Sequence, residues 1–150
     1  MGLMFPYTVV AAHHAVVPLG GRWSRPRPLV MVSATGPKNT FPMEGRLDTG
    51  SDDTVFPERL ASIIGVDLSN APVGHGRTAS MALLIVRYAQ ITLRITDGVE
   101  RREWPAWVGF TPAVHRPLLG FAGFLQFFTA TFRGDREEVE LTVNNFYPGT

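Results

Sequence analysis

The sequence predicts an all-β fold with one or two short helices, and two observations about its residue types support this. Twelve prolines and fifteen glycines divide the 150 residues into short segments. Between them lie runs rich in valine, isoleucine, threonine and aromatic residues, which are enriched in strands. Because 45% of the residues are apolar and 18% are charged, we expect residues 1–150 to form a single domain with its own core.

The first half of the chain is predicted to contain strands followed by a short helix. The strand segments are PLVMVSAT (28–35), GPKNTFPME (36–44) as a turn and return, and residues 44–48 as a further strand. PERLASIIGV (57–66) is predicted to be helical, because Pro57 suits the first helical position and Gly65 lies near the end.

The second half is predicted to contain one long strand, a second short helix and two closing strands. In ALLIVRYAQITLRIT (82–96), Ile91, Leu93 and Ile95 alternate with polar residues, so one face of the strand should be buried. The remaining segments are GFAGFLQFF (120–128) as the helix, and TATF (129–132) and EVELTVNNF (138–146) as strands.

Composition and charge exclude several classes of function. The net charge is +1 and the basic residues are scattered, so we expect no nucleic-acid partner. The absence of cysteine excludes disulfides and thiolate chemistry, and it suits a reducing compartment. The apolar first twenty residues contain Pro6 and a histidine pair and lack a basic leader. We therefore expect no signal peptide, no membrane partner and a cytoplasmic protein.

The segment GRLDTGSDDTVFPERL (45–60) concentrates acids and hydroxyls between apolar residues. The triplet DTG alone is weak, because it occurs by chance in roughly 3% of chains of this length. Its setting strengthens it, since Leu47 precedes the acids and Val55 follows them. Asp48 would then be a carboxylate near the interior, with Thr49 as a fixed hydrogen-bonding group. Two interpretations are open, a catalytic turn and an Asx-type turn that satisfies its own backbone.

Other catalytic and metal-binding patterns are missing from the sequence. His13 and His14 are adjacent, so in a strand their side chains point to opposite faces. Neither His75 nor His115 lies at a recognisable ligand spacing. No GxSxG elbow is present for serine catalysis. We therefore predict no metal and no cofactor.

Four segments, in order, resemble the retropepsin-like aspartic proteases, a family of retroviral proteases and single-domain bacterial relatives. DTGSDDTV (48–55) resembles the active-site segment of that family. The others are RPLV (27–30), YAQITLRI (88–95), and VGFTP (108–112) with RPLLGFAGFL (116–125). The resemblance covers about residues 27–132, with extensions at both ends. It implies a closed retropepsin-like β-barrel with a flap hairpin.

The resemblance also implies an activity and a partner. Asp48 begins the only DTG-type loop, since the other Asp-Gly pair, Asp97-Gly98, lacks the hydroxyl residue. Members with one such loop form a two-fold homodimer, in which each subunit contributes one catalytic Asp48. The expected function is an aspartic endopeptidase that cleaves extended peptide at acidic to mildly acidic pH. The alternative is a non-catalytic dimeric peptide-binding or scaffold module on the same fold.

The roles of the other site residues are likewise implied by the resemblance. Thr49 would hydrogen-bond across the dimer, Gly50 would accept the substrate backbone, and Ser51 would support the loop. The expected substrate-binding residues are the acids Asp52 and Asp53, the flap residues Gly76, Arg77, Thr78, Ala79 and Ser80, and the pocket residues Val114 and Leu118.

The chain departs from the family pattern in two places. The expected flap tip, GRTASM (76–81), is poor in glycine. Retroviral members follow the LLG-type triplet with an arginine that pairs with the second acid of the motif, whereas this chain has Phe121. We therefore expect Arg27 or Arg116 to supply a compensating charge to Asp52, from the other subunit in one version of the hypothesis.

Overall fold

The computed structural model describes residues 2–77 and 80–150, and strands make up most of them. The predicted mostly-β class is confirmed. The strands are β1 (Leu3–Pro6), β2 (Thr8–Val16), β3 (Arg22–Arg27), β4 (Leu29–Thr35), β5 (Thr40–Leu47), β6 (Val55–Pro57), β7 (Val73–Arg77), β8 (Leu83–Thr96), β9 (Arg101–Thr111), β10 (Leu118–Leu119), β11 (Phe128–Arg133) and β12 (Glu138–Val143).

One α-helix, α1 (Glu58–Ile64), lies within the segment predicted to be helical. Pro57 is its N-cap rather than its first helical residue, and Gly65 ends it in the left-handed conformation with φ 84°. No helix among the described residues has the length and apolarity needed to cross a membrane.

The second predicted helix, over residues 120–128, is wrong except for one turn of 3-10 helix at Leu125–Phe127. Gly123 has φ 90°, and Phe124 has φ −136° and ψ −78°, so the backbone leaves the helical region at both residues. The two conformations bury Phe124, which packs edge-on against Trp104 with ring centroids 5.3 Å apart. Tertiary packing therefore overrides the local helical tendency of this apolar segment.

The largest sheet has seven strands in the order β4-β5-β10-β6-β9-β8-β7, and β4 also pairs with β8. The predicted strands over 28–35 and 82–96 are present as β4 and β8. The predicted division between a return segment and a strand over 44–48 is wrong. Residues 40–47 form one strand, because they pair with β4 without interruption from Thr40 to Arg46.

The core lies under this sheet, between it and the smaller sheet β1-β12-β11. Ile91, Leu93 and Ile95 of β8 are buried, as their alternation predicts. Trp104 of β9 is also buried, and its indole nitrogen donates to the carbonyl of Gly123 at 2.9 Å. Trp107, three residues along, is exposed, so only one tryptophan of this pair belongs to the core.

Both terminal extensions pair within the chain. β1 runs antiparallel to β12, with Leu3 opposite Leu141, and both leucines are buried. Thr150 exchanges two backbone hydrogen bonds with Glu103, of 3.0 and 2.9 Å. β2 and β3 form a separate hairpin.

The two strands that flank the acid segment in sequence are not neighbours in the sheet. Residues 48–54 connect β5 to β6, and β10 lies between these two strands. β10 is parallel to β5, with Leu119 opposite Leu47, and antiparallel to β6, with Leu118 opposite Val55. The chain then continues through Gly120 directly beneath the connecting loop. A Cβ there would collide with the carbonyl oxygens of Asp53 and Ser51, the latter at 2.5 Å.

We expect the substitution Gly120→Ala to lower the free energy of unfolding by about 1–3 kcal/mol, because the added methyl group has no space beneath the loop. The matched control is Gly134→Ala, since nothing lies within 4 Å of a Cβ at Gly134. Urea denaturation of the three proteins measures the effect. Equal losses in both variants would contradict the close packing at Gly120.

Candidate active site

Asp48 follows directly after β5, and its backbone is held by the neighbouring strand. Its amide donates to the carbonyl of Leu119 at 3.1 Å, and its own carbonyl accepts from the Ser51 amide at 3.2 Å. One carboxylate oxygen, Oδ1, accepts from the Gly50 amide at 2.9 Å. The side chain is half-buried. The carboxylate is thus oriented by its own loop while part of it faces solvent.

The structure supports one half of the Asx-turn interpretation. Asp48 does accept a hydrogen bond from the amide two residues on, as that turn requires. Thr49 is exposed, and its hydroxyl makes no hydrogen bond within the described residues. The Thr49 side chain therefore does not hydrogen-bond to the backbone of this turn, as the Asx-turn interpretation supposed.

The loop rests on residues that follow β10. The amide of Phe121 donates to the carbonyl of Ser51, and that of Ala122 to the carbonyl of Asp52, both at 2.9 Å. In return, the Thr54 amide donates to the carbonyl of Ala122 at 3.0 Å. Backbone bonds are independent of side-chain charge and resist ionic strength. They fix the loop over residues 51–54 as firmly as a strand pairing.

Thr54 has a buried hydroxyl without a hydrogen-bond partner among the described residues. Its backbone is fully engaged, since its carbonyl accepts from the Gly109 amide at 2.8 Å. Burying an unpaired hydroxyl costs stability, so its place here is dictated by the surrounding backbone bonds rather than by its own side chain.

Asp53 is held by a residue that the sequence prediction did not identify. The hydroxyl of Tyr88 in β8 donates to Asp53 Oδ2 at 2.6 Å. Burial of the phenol raises the pKa of Tyr88 to about 12, with the hydrogen bond to Asp53 and its negative charge adding to the effect. Asp53 was predicted to contact substrate. The structure gives one of its two oxygens an internal partner.

Gly74 makes room for the Tyr88 ring. A Cβ on Gly74 of β7 would lie 2.5 Å from Cε2 and 2.8 Å from the hydroxyl. The backbone amide of Tyr88 donates to Pro72 at 2.9 Å, at the start of the β7–β8 hairpin. Tyr88 therefore connects the base of this hairpin to the acid loop.

Asp52 is exposed, and none of the ion pairs among the described residues includes it. Arg116 lies near Glu44 instead, at 3.9 Å with both side chains about 40% exposed, which makes it a weak pair. Arg27 forms no ion pair within the described chain. Phe121, at the position of the family's arginine, is 61% exposed.

Three of the predicted flap residues, Gly76, Arg77 and Ser80, lie among the described residues. Gly76 and Arg77 end β7, and the Arg77 guanidinium donates to the Met81 carbonyl at 3.1 Å across the turn. Ser80 is exposed. Thr78 and Ala79, also predicted to bind substrate, lie outside the described residues. Met81 has φ 67°, a left-handed conformation that glycine adopts at lower cost.

The structure does not bring the two predicted pocket residues together. Leu118 is half-buried in β10, where it lies opposite Arg46 of β5. Val114 lines an open groove of about 680 Å³ along α1, together with residues such as Glu58 and His115. Asp48 does not line that groove.

The other Asp-Gly pair forms an ordinary turn. Asp97 Oδ1 accepts from the amides of Glu100 at 2.8 Å and Val99 at 2.9 Å, and Oδ2 accepts from Met4 at 3.0 Å. These backbone bonds, chiefly that from Glu100, lower the pKa of Asp97 against an opposing effect of desolvation. Asp97 is therefore a turn residue. Within 2–77 and 80–150, no group of three or more histidines or acids is placed to hold a metal ion.

The fold is that of the retropepsin-like aspartic proteases. The chain is similar to the crystal structure of a retropepsin-like aspartic protease from Rickettsia conorii, with a TM-score of 0.52 and 17% sequence identity. The similarity covers 91% of this chain and 99% of that chain. No family model and no curated protein matches the sequence. The likeness in fold agrees with the resemblance first seen in four short segments.

We expect the substitution Tyr88→Phe to lower the free energy of unfolding by about 1 kcal/mol, because it removes the hydrogen bond to Asp53 and keeps the ring. The folded-state pKa of Tyr88, about 12, lies above the ordinary value of 10.0. Its stabilising effect is therefore fully present below pH 10 and is lost as the pH rises from 10 towards 12. Urea denaturation of both proteins across this range measures the difference.

Tyr7→Phe is the matched control, since the Tyr7 hydroxyl makes no hydrogen bond within the described residues and this ring is also half-buried. A Tyr88→Phe protein as stable as the wild type at pH 8 would show that the bond to Asp53 contributes nothing.

Proposed function

We propose that this chain is an aspartic endopeptidase that acts as a homodimer. The observation that carries the proposal is the Asp48 loop. A half-buried carboxylate, hydrogen-bonded by Gly50 and seated on β10, lies at the end of a strand in a retropepsin-like fold. The Asp97 turn is also half-buried and hydrogen-bonded by backbone amides after a strand, so Asp48 is distinguished by its DTG sequence and by its place in the retropepsin-like fold.

The need for a second subunit follows from the number of such loops. Proteolysis by this chemistry uses two carboxylates, and one chain supplies one DTG segment. A two-fold axis brings a residue next to its own copy, so a symmetric dimer would bring two Asp48 side chains together. The exposed Thr49 hydroxyl, which has no hydrogen-bond partner among the described residues, supports this interpretation because it is available to the other subunit.

The mechanism follows from the proximity of like charges. Two carboxylates a few ångströms apart cannot both ionise at low cost, so the pair would hold one proton and titrate as a unit. The ionised member takes a proton from a bound water, which attacks the scissile carbonyl. The protonated member polarises that carbonyl, and protons return to the amine as it leaves. No covalent intermediate forms.

The β7–β8 hairpin is the part of the chain best suited to cover a bound peptide. Val73, Leu83 and Ile85 are all at least half exposed, and their register places them on one face of the hairpin. The same face also carries His75, Arg77 and Arg87, so an extended peptide that pairs with strands by backbone hydrogen bonds would meet both apolar and basic side chains there. In the proposed enzyme the hairpin acts as the flap, and its base is connected to the acid loop through Tyr88.

The substitution Asp48→Asn should reduce peptide cleavage by at least about 100-fold, because an amide cannot take a proton from water. Cleavage is measured on an unfolded protein substrate by mass spectrometry, and a statin-type transition-state analogue should inhibit the wild type. Asp135→Asn is the control, since it makes the same chemical change at an exposed turn.

An Asp48→Asn protein that remains a folded dimer with full activity would remove Asp48 from the mechanism. A wild type that binds extended peptides and the analogue without cleaving any peptide would instead be the dimeric binding module.

Arg27 is our candidate for the charge that compensates Asp52 across the dimer. It is half-buried and forms no ion pair within the described chain, whereas Arg116 lies near Glu44. We expect Arg27→Ala to raise the dimer dissociation constant by about tenfold, because the acid of the other subunit loses a charge-assisted hydrogen bond. Sedimentation and the concentration dependence of activity measure it. Arg101→Ala, at an exposed position of β9, is the control. Dimerisation that is unchanged by Arg27→Ala would exclude the Arg27 hypothesis.

A further inference from the structure

We propose that Arg46 makes this enzyme select peptides that carry an acidic side chain directly beside the scissile bond. The proposal rests on the proposed function, because it assigns a substrate class to the Asp48 site. Its basis is the position of Arg46 on β5, the lack of an anion for its guanidinium and the groove that it lines.

Arg46 lies in β5 two residues before Asp48, which directly follows the strand. Side chains two residues apart in a strand point to the same side of the sheet. The burial of β5 follows this period, because Gly45 and Leu47 are buried whereas Glu44, Arg46 and Asp48 are half-buried. The guanidinium therefore extends on the side of the sheet where the carboxylate of Asp48 lies, about one strand repeat away.

Arg46 lies between two paired strands and lines a small open groove. Arg46 lies opposite Leu118 in β10 and opposite Leu29 in β4. It contributes to a groove of about 430 Å³ whose lining residues are Leu19, Arg25, Pro26, Arg27, Pro28 and Arg46. The apolar and proline side chains form its walls, and all the charged groups in its lining are arginines. A groove of this composition favours an anionic occupant.

The three arginines of the groove form no ion pair with the acids that the structure describes. The described ion pairs use Arg22, Arg102, Arg116 and Arg133, and none includes Arg25, Arg27 or Arg46. Glu44, the other acid on this face of β5, lies near Arg116 at 3.9 Å. We have assigned Arg27 to Asp52 of the partner subunit. Arg46 then remains as the arginine of β5 that lies two residues before Asp48 and forms no ion pair with a described carboxylate.

A substrate carboxylate would supply the missing anion. Guanidinium binds carboxylate with two parallel charge-assisted hydrogen bonds, a geometry that an amide or an alkyl side chain does not reproduce. An acidic side chain placed beside the Asp48 pair without a cation would be repelled by the negative charge of that pair. Arg46 offsets this repulsion locally. Two-fold symmetry would place one Arg46 on each side of the scissile bond, so selection should operate at both flanking residues.

The experiment compares peptides that differ only at the residues flanking one cleaved bond. A cleavable sequence is first identified in a digest of an unfolded protein. Variants of that peptide then carry Glu, Gln, Leu or Lys on either side of the cleaved bond. We expect kcat/KM for Glu to exceed that for Gln by about tenfold in the wild type. Arg46→Gln should bring the two values together, and Arg46→Glu should invert the preference in favour of Lys. Arg136→Gln, an exposed turn residue, is the control that should keep the wild-type ratio.

The outcomes separate this proposal from the one that it rests on. Asp48-dependent cleavage with equal kcat/KM for Glu, Gln and Leu would overturn the role of Arg46 and leave the endopeptidase intact. A preference for Glu that persists in folded Arg46→Gln protein would also overturn it. If no peptide is cleaved in an Asp48-dependent manner, both proposals fail. Because Arg46 is half-exposed, its variants should fold, and thermal unfolding of each variant checks this. Arg46→Lys keeps the positive charge and should therefore retain part of the preference for Glu.

Discussion

The close contact between Gly120 and the carbonyl oxygens of residues 51 and 53 is the constraint on which the rest of the site depends. It allows β10 to pass between β5 and β6 while the loop joining those strands crosses above it. Leu119 then holds the amide of Asp48, and Phe121 and Ala122 hold the carbonyls of Ser51 and Asp52. A side chain at residue 120 would push the loop of residues 48–54 away from the segment that follows β10, and the Asp48 carboxylate would lose its fixed position.

The charges around this loop are arranged differently from those expected of a retroviral-type site. Phe121 cannot form an ion pair, and Asp52 has no ion-pair partner among the described residues. Asp53 is held by a neutral phenol, and the raised pKa of Tyr88 extends to higher pH the range over which this phenol stays a hydrogen-bond donor. The hydrogen bond also connects the acid loop to the base of the β7–β8 hairpin, since Tyr88 lies where β8 leaves the hairpin. Polar contacts and backbone hydrogen bonds therefore hold this loop, whereas an arginine–acid pair is expected at a retroviral-type site.

The features predicted correctly from sequence were those encoded in neighbouring residues. The alternation of Ile91, Leu93 and Ile95 specifies a half-buried strand, and Pro57 with Gly65 delimits α1. The DTG segment and its apolar flanks point to the candidate loop, and the catalytic role of that loop stays a prediction. The predictions failed where distant residues decide the outcome. Phe124 leaves the helical region to pack on Trp104, and no local pattern pairs Tyr88 with Asp53. The signal that could have found Tyr88 is its position within a strand of otherwise apolar inward-facing residues.

The pairing of β1 with β12 also bears on how the protein is made. Leu3 and Leu141 are partners in one sheet, and almost the whole chain lies between them. During synthesis on the ribosome, the first strand emerges long before the strand that will cover its apolar face. Contacts that join distant parts of a chain slow folding, because the intervening loop must close before they form. Leu3 and Phe5 therefore lack the strand that covers them until β12 has been made and has paired with β1.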